Sequence, residues 1–464
     1  MLADTKQLLD PGIFRAYDIR GIVDESLTPE TVFLIGKGLG SLALDAGRNE
    51  IAIARDGRLS GPALSAALCD GILSTGCHVV DLGVAPTPVL YYATHQLPEQ
   101  SGVMLTGSHN PPNYNGLKSV INGKTLAEDA IQGLYQRIIE NRLHQGQGVK
   151  RELNIIEAYI ADVVSKVKLS RRLKVVIDAG NGVTGMMAPA LFKALGCDVH
   201  EIFCDVDGTF PNHHADPSQP ENLDDLIHAV KETKADIGLA FDGDGDRLGV
   251  VTSQGSIIWP DRLLMLFAQA LLAEEPNAHI IYDVKCSNHL ADHIKSYGGQ
   301  PLMWKTGHSL IKAKMIEMKA ALAGEMSGHF FFKHRWYGFD DALYAGARLL
   351  EILANSTEDS EVIFAAIPNS VNTPELKVLV PEADKFAVMQ QLIDGANFAD
   401  AKEIITIDGL RVNFVEGWGL VRPSNTTPYL VLRFEAVSTA MLDNIQALFR
   451  AWILSIRPEL KLPF

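Results

Sequence analysis

Thr106-Gly107-Ser108-His109-Asn110-Pro111 sets a hydroxyl between a glycine and a histidine, directly after the apolar run Gly102-Val103-Met104-Leu105. The run reads as the end of a buried strand, and the Gly and Pro that follow read as a loop. A serine held at a strand end with an imidazole beside it is a place where a group can be carried covalently. The hydrolase elbow G-x-S-x-G does not fit, because Asn110 stands two residues after Ser108. The segment alone is equally well a polar turn, since such residues populate turns routinely.

A second cluster, Asp242-Gly243-Asp244-Gly245-Asp246-Arg247, follows the apolar run Ile237-Gly238-Leu239-Ala240-Phe241. On an extended backbone side chains alternate faces, so acids at every second position project together. Two carboxylates about 4 Å apart repel by about 4 kcal/mol at an effective dielectric of 20, and three converging acids are most simply explained by a bound cation. Oxygen-only ligation favours Mg2+ or Ca2+ over zinc. An EF-hand is excluded: its sixth position would be Gly where the chain has Arg247, and its twelfth Glu where it has Ser253. Three protein oxygens leave octahedral Mg2+ short of ligands, which invites water or a phosphate oxygen. Arg247 sets a phosphate-binding cation beside this loop, and the bland alternative is a solvated acidic turn.

Arg422-Pro423-Ser424-Asn425-Thr426-Thr427-Pro428 is dense in anion-binding groups, an arginine fork with short polar side chains. Phe14-Arg15-Ala16-Tyr17-Asp18-Ile19-Arg20-Gly21 gathers two arginines and a tyrosine, and taken alone reads as a solvated strand edge. Asp340-Asp341, ahead of the apolar-periodic run 342–352, reads as a helix N-cap and first-turn acid without chemistry.

The elements that position these groups follow a repeated pattern. Ile51 to Asp56, Lys174 to Asp178 and His279 to Asp283 are apolar strands ending in an acid. Each is followed by a polar or Gly-rich loop, a helical run, a Gly turn and another strand, a βαβ unit. Three copies more than 100 residues apart indicate tandem α/β domains, with ligand-facing loops beyond the strand carboxyl ends. After a linker at Asn369 to Pro374, strands near Leu376, Ile404, Val412, Leu420 and Tyr429 to Phe434 predict a smaller α+β domain with an antiparallel sheet. The predicted division is 1–150, 151–255, 256–367 and 368–464, which suits a chain of 464 residues.

Composition narrows the function. Lys and Arg number 41 against 56 Asp and Glu, a net charge of −15, which argues against nucleic-acid or anionic-membrane binding. An anionic substrate must therefore find a locally basic cleft. Five cysteines without a C-x-x-C argue against disulfides or structural zinc and for a reducing cytoplasm. No secretory leader is recognised at Met1-Leu2-Ala3-Asp4, and the apolar run from Leu263 to Ala273 is interrupted by Gln269. It falls short of the roughly 20 residues of a spanning helix.

Ser108, an acidic metal loop and an anion-binding loop on separate domains describe phosphoryl transfer through a phosphoserine. With these motifs the chain resembles the α-D-phosphohexomutase family over essentially its whole length. The resemblance rests on Ala16 to Gly21, Thr106 to Pro111, Asp242 to Arg247, Gly324-Glu325-Met326-Ser327-Gly328-His329 and Arg422 to Thr426, in the family's order. It implies four domains around a central cleft, phosphorylation of Ser108, and Mg2+ held by Asp242, Asp244 and Asp246 with a phosphoserine oxygen. A phosphoserine carries about −1.5 to −2 charge near neutral pH, which Mg2+, Arg247 and His109 would stabilise. The resemblance makes Lys118 a candidate for proton transfer, or else a purely electrostatic phosphate contact. Tyr17 and Arg20 would shape the site, and Glu325 and Ser327 would read sugar hydroxyls. Lys285, Gly307, His308 and His329 fall at active-site positions, while Arg422, Ser424, Asn425 and Thr426 would bind the distal phosphate.

The implied reaction moves a phosphoryl group between the 1- and 6-positions of a mannose or glucose phosphate. Glucose 1,6-bisphosphate (or mannose 1,6-bisphosphate) would be intermediate and activator, and the fourth domain would move to let it reorient. Met326 points to the mannose/glucose branch rather than a phosphoglucosamine mutase, whose loop has Gln there. A Mg2+-dependent sugar-phosphate phosphatase and a non-catalytic sensor are the remaining alternatives. A cytoplasmic monomer is expected.

Overall fold

The computed structural model describes residues 8–381, 383–425 and 427–464. Among these residues, β1 (Ile19–Ile22), β2 (Glu50–Arg55), β3 (His78–Val84), β4 (Gly102–Leu105), β5 (Tyr114–Ile121), β6 (Lys124–Thr125) and β7 (Lys150–Glu152) form the first sheet. Its order is β1-β5-β4-β2-β3-β7, with β6 on β5. The central strands are near-continuous apolar runs because helices cover both faces. Ala52 of β2 lies opposite Val80 of β3 and Gly102 of β4, both parallel, while Met104 of β4 faces Lys118 of antiparallel β5.

The second sheet uses β8 (Lys174–Asp178), β9 (Asp198–Ile202), β10 (Ile237–Phe241), β11 (Leu248–Thr252) and β12 (Ile257–Ile258), in the order β12-β11-β10-β8-β9. The third uses β13 (His279–Asp283), β14 (Gln300–Trp304), β15 (Leu322–Gly324) and β16 (Phe330–Phe332), in the order β14-β13-β15-β16. All three repeat one path. A central strand, a helix and a parallel neighbour on one side are followed by a helix, a parallel neighbour on the other side, and a reversal into an antiparallel strand. The three reversals are 106–113, 242–247 and 325–329, so duplication delivers the serine, acidic and sugar-reading motifs on one equivalent loop each.

The fourth sheet is antiparallel: β17 (Val371–Asn372), β18 (Leu376–Leu379), β19 (Glu403–Ile405), β20 (Leu410–Asn413), β21 (Gly417–Pro423) and β22 (Tyr429–Ala436). Its order is β17-β22-β21-β20-β19, with β18 on β22. Ser438 accepts from the Met441 amide and so caps the helix Thr439–Ile456, which packs on β21 and β22. The fold class is thus the expected one, three related α/β units and a C-terminal α+β unit.

One hydrophobic core runs through the first three units, joining Met104, Phe192, Phe241, Phe330 and Leu350. The fourth has its own core around Leu432 and Phe449, and Val284, Trp418 and Leu420 form a small separate cluster where it meets the third. Among the described residues, no helix is long and apolar enough to cross a membrane. None of the five cysteines is bridged.

Candidate active site

Ser108 sits three residues past β4 in the left-handed region, with φ of 51°. A non-glycine residue there is strained and must be held by its surroundings. Its amide donates to Thr106 Oγ1 at 2.7 Å, and Thr106 Oγ1 donates to Asp56 Oδ2 at 2.8 Å. The Ser108 hydroxyl lies 3.1 Å from His109 Nδ1 and donates to Asp242 Oδ2 at 3.1 Å. Burial, reinforced by Arg247 and Arg20, pushes the His109 imidazole well below its usual range.

The acidic loop is not extended, as alternation of its carboxylates predicted; it is a turn. Asp242 Oδ1 accepts from the amides of Gly245 (2.9 Å), Asp246 (3.0 Å) and Arg247 (3.1 Å), which folds the chain around its own first carboxylate. Gly245 takes φ of 81°, a conformation glycine adopts without strain. The turn, rather than pleating, brings the three acids together, all fully buried. Asp244 Oδ2 accepts from Thr87 Oγ1 at 2.6 Å and Lys118 Nζ at 2.7 Å, and Lys118 also bonds Asp246 Oδ2.

Burial together with Asp244 and Asp246 drives Asp242 well above the carboxylate range. Burial would raise Asp244 too, but Lys118 outweighs it and holds Asp244 down. Burial acts to lower Lys118, and its acidic neighbours overcome that and raise it. The ligand atoms of Asp242, Asp244 and Asp246 lie within 4.8 Å of one another and could hold a metal ion. Asp244 Oδ1 and Asp246 Oδ1 are buried with no hydrogen-bond partner among the described residues. Unsatisfied carboxylate oxygens in a cage of acids fit a hard divalent cation.

Above these acids opens a cleft walled by all four units. It brings together Tyr17, Arg20, Ser108, His109, Lys118, Arg247, Lys285, Gly307, His308, Glu325, Ser327, His329, Arg422, Ser424 and Asn425. Thr426 lies outside the described residues. The segment around Tyr17 is no solvated edge: Tyr17 and Asp18 are buried, and Tyr17 donates to the Thr306 carbonyl at 2.6 Å and accepts from Asn425 of the fourth unit. Arg20 donates to Asp18 and to Asn110 Oδ1, both at 2.5 Å. Glu325 accepts from the Gly307 amide at 3.2 Å and from Ser327 at 3.1 Å, and burial raises its carboxyl. His329 Nε2 accepts from Arg247 Nε at 3.0 Å, so the second and third loops are joined directly.

Arg422, at the end of β21, donates to Asp408 at 2.9 Å and keeps a buried Nη2 without a partner among the described residues, a donor suited to an anion. Lys285 bonds Glu375 at 2.6 Å; against the upward push of burial, its ammonium holds Glu375 down at about 2. Met326 turns its side chain away from this cleft into a neighbouring pocket beside Trp259 and Pro220, and its amide donates to Asp283. It is therefore no direct reader of the sugar.

The sequence reading passed over several groups in and behind the cleft wall. Asp341 is the helix N-cap, accepting from the Tyr344 amide at 2.9 Å. Asp340, read there as simple capping, is fully buried behind the cleft wall. It bonds Lys312 at 2.9 Å, with its other oxygen 3.2 Å from His329 Nδ1. Capping accounted for the Asp pair, so nothing flagged Asp340. Lys312 did leave a signal, since it lies four residues after His308 and so on one helical face. Asp216, Ser218 and Gln219 also line the cleft from an irregular segment that carries no motif.

Models of four consecutive domains match the chain: phosphoglucomutase/phosphomannomutase alpha/beta/alpha domain I over residues 11–145, domain II over 157–255, domain III over 259–371 and the C-terminal domain over 375–451. A phosphomannomutase/phosphoglucomutase of Pseudomonas putida is 55% identical over 456 residues, covering 98% of each chain. A phosphoglucomutase of Neisseria meningitidis is 52% identical over 454 residues, covering 97% of this chain and 98% of its own. The crystal structure of a phosphoglucomutase/phosphomannomutase family protein from Burkholderia thailandensis superposes with a TM-score of 0.93 at 52% identity, covering 98% of this chain and all of that one.

Proposed function

The chain belongs to the phosphoglucomutase/phosphomannomutase family and is a hexose-phosphate mutase, and we propose that it works through phospho-Ser108 on mannose and glucose phosphates. The free 6- or 1-hydroxyl of the sugar attacks the phosphorus of phospho-Ser108, and the bond to Ser108 Oγ breaks. A bound 1,6-bisphosphate results. It reorients, Ser108 Oγ attacks its other phosphorus, and the isomeric monophosphate leaves. The observation that carries this reading is the placement of the Ser108 hydroxyl 3.1 Å from Asp242 in a cleft walled by all four units.

Asp242, Asp244 and Asp246 would hold Mg2+, which when bound neutralises the charge that accumulates on the transferring phosphoryl group. Their unsatisfied oxygens support that ligand set. Lys118, held charged between Asp244 and Asp246, is better suited to electrostatic contact than to accepting a proton. His329, whose Nε2 accepts from Arg247 Nε, keeps that guanidinium in place beside the serine loop. Arg20, His109 and Arg247 surround the serine-bound phosphoryl group, with Tyr17 shaping the wall beside it. Glu325 and Ser327, with Lys285, Gly307 and His308, hold the sugar. Arg422, Ser424, Asn425 and Thr426 bind its distal phosphate. Glucose 1,6-bisphosphate or mannose 1,6-bisphosphate serves as activator by phosphorylating Ser108.

One sheet to each supports four domains, 1–150, 151–255, 256–367 and 368–464, with the first sheet reaching two residues past the first bound through β7. A separate core in the last supports its motion relative to the others. A site complete within one chain supports a monomer, and unbridged cysteines support a cytoplasmic setting. Relatives named phosphomannomutase/phosphoglucomutase do not favour the phosphoglucosamine or phosphatase alternatives. The test supplies Mg2+, a trace of glucose 1,6-bisphosphate and the 1-phosphates of mannose, glucose and glucosamine to wild type and Ser108→Ala. Comparable 6-phosphate formation from the first two, abolished in the variant, is expected. Preference for the amino sugar, or release of inorganic phosphate alone, contradicts the reading.

A further inference from the structure

Arg58 is 1% exposed, lies outside the cleft wall, and spends four of its five guanidinium donors on the segment that carries Ser108 and the fifth on Asp56. Nη2 donates to the carbonyl of Ser108 itself at 2.8 Å and to that of Asn110 at 2.6 Å. Nη1 donates to the carbonyls of Pro111 at 2.6 Å and Tyr114 at 3.0 Å. Nε donates to Asp56 Oδ2 at 3.1 Å, the oxygen that also receives Thr106 Oγ1 and the Gly107 amide at 3.2 Å. A guanidinium has five N–H donors in a rigid fork, and here all five are used.

Two neighbours keep the fork in place. A Cβ on Gly107 would fall 2.3 Å from Arg58 Cζ, so only glycine lets the guanidinium lie against this backbone. On the domain that carries the acidic loop, the ring of Phe210 lies 5.2 Å from Arg58 Cζ. The loop held in this way contains the one element of strain at the nucleophile, the left-handed backbone of Ser108. Its carbonyl is fixed by Arg58 and its amide by Thr106, so both peptide units flanking the strained residue are anchored to one buried pair, Asp56 and Arg58.

We infer that Arg58, seated on Asp56, is a positioning residue for phosphoryl transfer: it holds Ser108 in the strained backbone conformation that aims its Oγ at the acidic loop. The inference rests on the phosphoserine reading above. A residue with this role affects the rate of transfer and not the binding of sugar, because it touches the loop's carbonyls and no cleft surface. Lysine keeps the charge but presents no planar fork, so it cannot replace the four directed carbonyl bonds.

The experiment compares Arg58→Lys, Arg58→Ala and Thr106→Val with wild type and Ser108→Ala. It reads kcat and KM for glucose 1-phosphate, the rate at which glucose 1,6-bisphosphate phosphorylates Ser108, and the melting temperature. Arg58→Lys is expected to lose about 30- to 100-fold in kcat and in phosphorylation rate, the scale of a roughly 1 Å misplacement, with KM within about twofold. Methylguanidinium is expected to restore part of kcat to Arg58→Ala and none to Arg58→Lys. Should the Arg58 variants not fold, Thr106→Val, which removes the hold on the Ser108 amide and its link to Asp56, carries the test with the same kcat-without-KM signature. Wild-type kcat in a folded Arg58→Lys, or a raised KM at unchanged kcat, overturns the inference. Full activity in Ser108→Ala overturns the phosphoserine reading itself, and is distinguished by that one variant.

Discussion

Replacing Gly243 with alanine tests the contact between the acidic loop and the serine loop. An added Cβ would stand 2.4 Å from the Ser108 carbonyl oxygen, where an ordinary carbon–oxygen contact is about 3.3 Å or more. The loops must part by about 0.9 Å to reach that distance. Little else can give, because the Gly243 amide is held by the Ala215 carbonyl and its own carbonyl by the Val183 amide, both at 3.2 Å. Gly243 is not in the left-handed region, so alanine is conformationally allowed and the effect is steric. Opening by that amount takes the Ser108 hydroxyl, now 3.1 Å from Asp242, out of hydrogen-bond reach. The expected cost is about 100-fold in kcat, or about 2.7 kcal/mol of transition-state stabilisation. Gly133→Ala is the control. It lies in the helix Asp129–Ile139 with nothing within 4 Å of its Cβ position, and should gain about 0.5–1 kcal/mol of stability at unchanged kcat. Steady-state kinetics and thermal melts read both. A Gly243→Ala enzyme within twofold of wild-type kcat would refute the argument that these two reversals are held in register by direct backbone contact.

Lys312→Met leaves the fully buried Asp340 without its 2.9 Å ammonium partner, a change that costs about 3–5 kcal/mol when one member of a buried pair is removed. For a core shared by three domains the shift is about 1–2 °C per kcal/mol, so melting should fall by at least about 3 °C, and an unchanged melting temperature would mean that the pair contributes nothing. His213 bonds the Asp178 carboxylate at 3.1 Å; burial acts to lower its imidazole, and the Asp178 bond outweighs it and raises it. A group raised on folding contributes stability that is whole below its unfolded value of about 6.5 and disappears as pH rises through the folded value. The melting difference between wild type and His213→Gln should therefore be largest near pH 5.5–6 and shrink toward alkaline pH; a pH-independent difference would show that the charge is not involved.

Local chemistry made much of this protein legible. Ile51 to Asp56, Lys174 to Asp178 and His279 to Asp283 announce buried parallel strands because continuous apolar runs bounded by acids and glycines have few other uses. Two of those acids also have a shared structural task that the linear pattern does not reveal. Asp56 holds the Gly107 amide and Asp283 the Met326 amide, each fixing the reversal on the adjacent parallel strand. The geometry of the acidic loop was misjudged because period-two alternation describes extended backbone, whereas three amides converging on Asp242 stabilise a turn. Met326 marks the mannose/glucose branch by its place in the motif, but that place does not say which way its side chain points, and it lines a pocket beside the cleft.

The sequence determined what depends on neighbours along the chain: strand and helix identity, the reversals, the charge and chemistry of each motif, and the family to which they belong. Tertiary structure alone decided which groups meet. Lys118 enters the acid cage from another domain, more than a hundred residues earlier in the chain. Asp340 reaches His329, and Arg58 gathers the carbonyls of a loop about fifty residues away. These partnerships depend on the burial of one core shared by three domains. Burial makes an unpaired charge costly wherever it lies, but which opposite charge is at hand follows from how the sheets pack.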